Sequence, residues 1–131
     1  MSALPENPFA GITISRYGAQ LRRGACTAAG VTEACLRRIE ALNPKLGAYT
    51  FVATEQSRAD ASRIDALIRS GTDLGPLMGV PVAVKDLYYV HGLPLAAGSR
   101  LDVSDAVRHE GPVVQALKRA GAIILGKTWT S

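Results

Sequence analysis

A chain of 131 residues, 47% hydrophobic and 20% charged, has the length and composition of one modest globular unit and excludes a disordered or low-complexity protein. The net charge of +4 comes from fifteen basic residues that are scattered, with only Arg22-Arg23, Arg37-Arg38 and Lys118-Arg119 paired; these read as solvated helix faces, and no direct nucleic-acid binding is expected. Two cysteines, no basic-then-apolar leader and no apolar run of spanning length argue against a disulfide scaffold, a signal peptide and a membrane protein, so a cytoplasmic address is expected.

The first 70 residues predict helices and one short strand. Ile14, Tyr17 and Leu21 share the face of a first helix, and Val31, Cys35, Ile39 and Leu42 share the face of a second. Asn43-Pro44 should end that second helix, because the residue before proline avoids the helical region. Cys35 reads as a small buried hydrophobe, and Cys26 falls in the turn between the two helices. Neither stands at metal-ligand spacing from His91 or His109, which read as solvent-facing loop residues, so no metal and no cofactor is expected. Residues 48–53 have the aromatic and β-branched content of a strand. Thr54 is placed as the N-cap of a third helix, whose apolar stripe is Ile64, Leu67 and Ile68.

From Gly71 onward glycine and proline punctuate every few residues and the pattern turns to strands. A strand over residues 80–84 follows the turn at Gly75-Pro76 and Gly79, and Gly92-Leu93-Pro94 breaks the chain again. Pro112 opens a helix at its first turn, where the missing N–H costs nothing, with Val113, Val114 and Leu117 directed inward. Gly121 ends that helix, and residues 122–125 read as a buried strand. Strand, helix and strand in this order predict a crossover unit on a mixed or parallel sheet.

Lys85 closes the apolar run Val80-Pro81-Val82-Ala83-Val84 and is the first candidate for chemistry. An ammonium at the end of a buried strand needs a partner or must lose its proton. Strand alternation puts Lys85 on one face with the small Pro81 and Ala83, leaving room beside it, at the end of a strand where α/β sheets bind ligands. Periodicity alone equally allows a lysine that reaches solvent or pairs with Asp86. Asp86 itself reads either as a turn carboxylate holding backbone N–H groups or as a group that orients the site.

Residues 121–128 match the phosphate-loop pattern G-x-x-x-x-G-K-[ST], but a phosphate cradle needs a strand before it, a loop within it and a helix after it. Here a helix precedes Gly121 and the residues between the glycines are β-prone, so nucleotide binding is not expected.

From Gly75 the chain reads GPLMGVPVAVKDLYYVHGLPLAAGSR, and from Glu110 it reads EGPVVQALKRAGAIILGKTWTS. Both stretches closely resemble the amidase signature hydrolases, and residues 32–43 are similar to the first long helix of that family. The resemblance implies the N-terminal portion of an α/β fold: helices first, then the first strands and crossover helix of an incomplete mixed-sheet amidase signature domain. Residues 1–70 form the helical leader with one short strand and residues 71–131 the start of the core. It also implies hydrolysis of a carboxamide C–N bond by a Ser-cisSer-Lys triad through an acyl-enzyme. Lys85 matches the catalytic lysine, while both serines are expected beyond Ser131, so the 131-residue chain is expected to be inactive alone. Asp86 and Ser99, in the Ala97-Gly98-Ser99 match, are expected to support the site or shape its loop. Leu95-Ala96 stand where many relatives carry hydroxyl residues, and Trp129 where relatives often have asparagine. A small-molecule amide is the implied substrate, and self-association or amidotransferase subunits are the implied partners of the parent. The reading from a different class is a non-catalytic α/β interaction module.

Overall fold

A computed structural model describes residues 4–130. In chain order these form α1 (Ile14–Arg22), α2 (Ala28–Leu46), β1 (Tyr49–Val52), α3 (Thr54–Arg69), β2 (Pro81–Lys85), a 3-10 turn (Ser104–Ala106), α4 (Pro112–Arg119) and β3 (Ile123–Thr128). The strands make one mixed sheet in the order β1-β3-β2, with β1 antiparallel and β2 parallel to β3. The β2-α4-β3 crossover expected from the sequence is therefore present. β1 adds a strand from the helical leader to the far side of β3.

Local chemistry explains most boundaries. Thr13 and Thr27 cap α1 and α2, their hydroxyl oxygens accepting from Arg16 N–H and Gly30 N–H. α2 does not stop at Asn43 but runs through Pro44 to Leu46, ending at Gly47 with φ 59°. The proline sits in the last turn and forfeits only the one bond its N–H would have given to Glu40 C=O, and Asn43 staples the exit. Its side chain accepts from Tyr49 N–H at 2.8 Å and donates to Tyr49 C=O at 3.2 Å. Thr54 is the first residue of α3 rather than its cap; Ala53 precedes the helix without a side-chain cap, and its N–H goes to Leu125 C=O in the sheet.

Two apolar clusters lie on the sheet. The larger joins Tyr17, Leu21, Ala28, Leu36, Ala61, Ile64, Met78, Val80, Ile123 and Leu125, so α1, α2 and α3 cover one side. The smaller joins Val84, Val90, Leu93, Val114 and Ile124 beneath α4. Full burial of each Val, Leu, Ile or Met side chain among them stabilises by about 1.5–3 kcal/mol. The face of α2 that turns fully inward carries Ala28, Thr32 and Leu36, while Val31, Cys35 and Ile39 flank it half-buried. On α4, Val114 is buried but Val113 is 53% exposed, contrary to the inward placement expected for it. A helix of eight residues has one narrow inward face, and adjacent positions 100° apart cannot both occupy it.

The central strand leaves no room for a side chain at Gly126: a Cβ there would meet the Phe51 carbonyl oxygen at 2.2 Å. Register shifts occur on both sides of β3, between Tyr49 and Phe51 and between Val82 and Ala83. The second shift divides β2: Val80, just before the strand, lies in the larger cluster, Val84 lies in the smaller and Val82 touches both.

Candidate active site

The parallel strands β2 and β3 finish side by side, with Lys85 opposite Thr128, and Tyr49 of β1 opposite Thr128 on the other flank. The carboxyl ends of parallel strands are where open α/β sheets bind ligands. Lys85 stands at that end, but the burial expected of it is corrected: it is exposed, as is Ala83 on the same face. The reason is topological. β2 is an edge strand, and no described helix covers the face opposite Val84 at this end. Among the described residues the Lys85 ammonium has no ion-pair or hydrogen-bond partner, whereas its carbonyl accepts from Tyr88 N–H at 3.1 Å in the turn that follows.

The buried amine belongs to Lys127 instead. It is 0% exposed, and its Nζ donates to Asp86 Oδ1 at 2.8 Å and to Pro94 C=O at 3.1 Å. Asp86, 3% exposed, also accepts from Ala96 N–H through Oδ2 at 3.2 Å, and its own N–H reaches Thr128 C=O at 2.8 Å. The reading of Asp86 as a carboxylate that holds a backbone N–H is thus present, and the same group also neutralises a buried cation that the sequence reading did not assign to it. Lys127 is the residue that sequence reasoning passed over. Its signal was available: a cation in the run Ala122-Ile123-Ile124-Leu125-Gly126-Lys127, inside a strand flanked on both sides, requires a buried anion. That run is strand β3 and not a loop between glycines, which removes the phosphate-cradle geometry.

Ser99 lies in the loop that returns past this end of the sheet. Its hydroxyl donates to Leu101 C=O at 2.9 Å and accepts from Leu101 N–H at 3.1 Å, and it is exposed. The loop is tightly folded: Ala97 has φ 50°, and Gly98, at φ 83°, lies where a Cβ would be 3.6 Å from the Thr130 carbonyl oxygen. Asp102 braces the loop by accepting from Leu95 N–H and Ser104 N–H, and these bonds hold its carboxyl below the usual range. The Ala96 N–H bond to Asp86 and the approach of Gly98 to Thr130 bring the loop that carries Ser99 to the end of the sheet where Lys85 and Asp86 stand. Leu87 and Tyr88, which follow Asp86, and Trp129, which follows β3, are exposed. Both histidines are exposed, and among the described residues no three His, Cys, Asp or Glu side chains converge as metal ligands would. No helix among the described residues is long and apolar enough to cross a membrane.

The chain is 40% identical over 119 residues to the 2-amino-5-chloromuconic acid deaminase of Comamonas testosteroni, covering 91% of this chain and 26% of that protein. It is 38% identical to a glutamyl-tRNA(Gln) amidotransferase subunit of Synechococcus, covering 89% and 24%. The native peptide amidase of Stenotrophomonas maltophilia superposes with a TM-score of 0.85 at 30% identity, covering 94% of this chain and 26% of that one. The chain thus spans about a quarter of the length of these relatives. The sequence model of the Amidase family matches residues 30–131, and the chain belongs to that family.

Proposed function

We propose that this chain is the lysine-bearing, N-terminal part of an amidase that hydrolyses a carboxamide C–N bond, with Lys85 as the base of a Ser-cisSer-Lys relay. The observation that carries the reading is the place of Lys85, last residue of a parallel strand on an uncovered face, with its ammonium unclaimed by any described residue. In this account both serines come from the part of a longer protein that the chain does not span. Packing of that part over Ala83 and Lys85 would remove water from the amine and favour its neutral form. Neutral Lys85 then takes the proton of the intermediary serine, which takes that of the nucleophile as it attacks the amide carbon. Collapse of the tetrahedral adduct breaks the C–N bond, and the relay returns the proton to the leaving amine. Water, deprotonated along the same relay, hydrolyses the resulting ester.

Asp86 and Ser99 in this reading support the site without touching the reacting atoms, and no cofactor takes part. Similarity to proteins named as glutamyl-tRNA(Gln) amidotransferase subunits supports a multi-subunit assembly as one arrangement for the complete protein. The test is acyl-enzyme capture. The complete protein, supplied with a panel of acetamide, benzamide and glutamine, should release ammonia and divert part of its acyl group to hydroxylamine as hydroxamate. The 131-residue chain should do neither. Turnover by the 131-residue chain, or a complete protein inert to the whole panel, contradicts the proposal.

A further inference from the structure

We infer that Asp86 and Lys127 form a clamp that positions Lys85, an inference that rests on Lys85 being the base of the proposed reaction. Lys85 and Asp86 are neighbours at the end of β2, so they point to opposite sides, and whichever is drawn inward turns the other outward. A one-residue slip of the strand would exchange them. What decides between the two settings is Lys127. Its buried ammonium is held by the Asp86 carboxylate and the Pro94 carbonyl, so only the register that brings a carboxylate inward satisfies it. Asp86 also takes Ala96 N–H, and its own N–H is fixed to Thr128. One ion pair therefore ties the exit of β2, the end of β3 and the 94–96 segment of the returning loop together. An apolar pair of equal volume could fill the same space, yet it would lack the directional bonds that fix register and loop at once.

The clamp makes Asp86 and Lys127 positioning residues, and the experiment separates that role from stability. In the complete protein, the apolar double variant Asp86→Leu/Lys127→Met is compared with Asp86→Asn and with Lys85→Ala, following ammonia release from the same amide panel. We expect the folded double variant to keep KM within about twofold and lose kcat by about 100-fold, the scale on which a misplacement of about 1 Å acts, with its kcat–pH profile displaced. A folded double variant with unchanged kcat and unchanged pH profile overturns the clamp. If that variant does not fold, Asp86→Asn decides the matter: it keeps the side-chain shape, and a selective loss of kcat supports the clamp while an unchanged kcat refutes it. Full activity in Lys85→Ala removes the base itself. Inactive Lys85→Ala beside fully active clamp variants removes only the present inference.

Discussion

Removing the cation from the buried pair should be among the most damaging single changes in this chain. Lys127→Met keeps the length of the side chain but leaves the Asp86 carboxylate, 5% exposed at its side chain, without the ammonium that stood 2.8 Å away. Breaking one side of a buried ion pair costs about 3–5 kcal/mol, whereas whole domains are stable by about 5–15 kcal/mol. For a chain of this length that corresponds to a fall in Tm on the order of 10–20 °C. Thermal and urea unfolding followed by far-UV circular dichroism measure it directly. The contrast is internal, because Arg58 and Glu33 also form an ion pair but with side chains 54% and 36% exposed. Arg58→Ala should therefore leave the unfolding curve nearly unchanged. If Lys127→Met proved as mild as Arg58→Ala, the assignment of a dry, coupled pair at the end of the sheet would be wrong.

Three further outcomes follow from other parts of the fold. Tyr17, 2% exposed, donates to Gly79 C=O at 2.7 Å, and Tyr17→Phe should cost about 1–3 kcal/mol in urea unfolding by orphaning that carbonyl. Burial also pushes the Tyr17 phenol upward, so its contribution is complete below the ordinary tyrosine range and is lost as pH rises above it; the phenylalanine variant should lack this alkaline loss. Asp73, held by Arg22 and Gly75 N–H, has its carboxyl lowered to about 2. Its contribution is present above the ordinary aspartate range near 3.8 and disappears as pH falls toward 2, and Asp73→Asn should flatten that part of the acid-unfolding curve. Gly121, at φ 78°, would place a Cβ 2.9 Å from Leu74 Cδ1 and 3.1 Å from Ile64 Cδ1, so Gly121→Ala should cost about 1–3 kcal/mol, read as a lowered urea midpoint.

Much of the architecture is legible in the sequence because local signals and burial agree. Pro112 and Gly121 bracket α4, and the apolar run between Gly121 and Lys127 can only be a covered strand, so the crossover and the mixed sheet follow. The errors arise where tertiary context overrules a local rule. Pro44 is tolerated because Asn43 and Gly47 carry the helix exit between them, which no pairwise proline rule foresees. Thr54 loses the cap position to Ala53 because the sheet claims Ala53 N–H.

The site divides in the same way. The positions of Lys85, Asp86 and Ser99 at one end of the sheet are readable from spacing together with family resemblance. The burial of Lys85 is not, since alternation specifies a face but says nothing of what covers it. Lys127 was hidden by its own context: a phosphate-loop pattern obscured the plainer requirement that a lysine in a central strand must find a carboxylate. That carboxylate is next to Lys85, and the transfer of burial from Lys85 to Lys127 is the main thing the structure adds.

Exposed apolar residues also bear on behaviour in solution. Phe51, Leu87, Tyr88 and Trp129 are all more than a third exposed, and the outer edges of β1 and β2 are unpaired among the described residues. The 131-residue chain should therefore self-associate in sedimentation velocity runs at micromolar concentration, and a species that stays monomeric there would contradict this.

The most direct measurement is amide hydrolysis by the complete protein carrying Lys85→Ala, with folding verified by circular dichroism. A positioned general base contributes about 10²–10⁴-fold, so kcat/KM should fall by at least 100-fold in the folded variant. Retention of wild-type kcat/KM by that folded variant would show that the amine at the end of β2 takes no part in the chemistry.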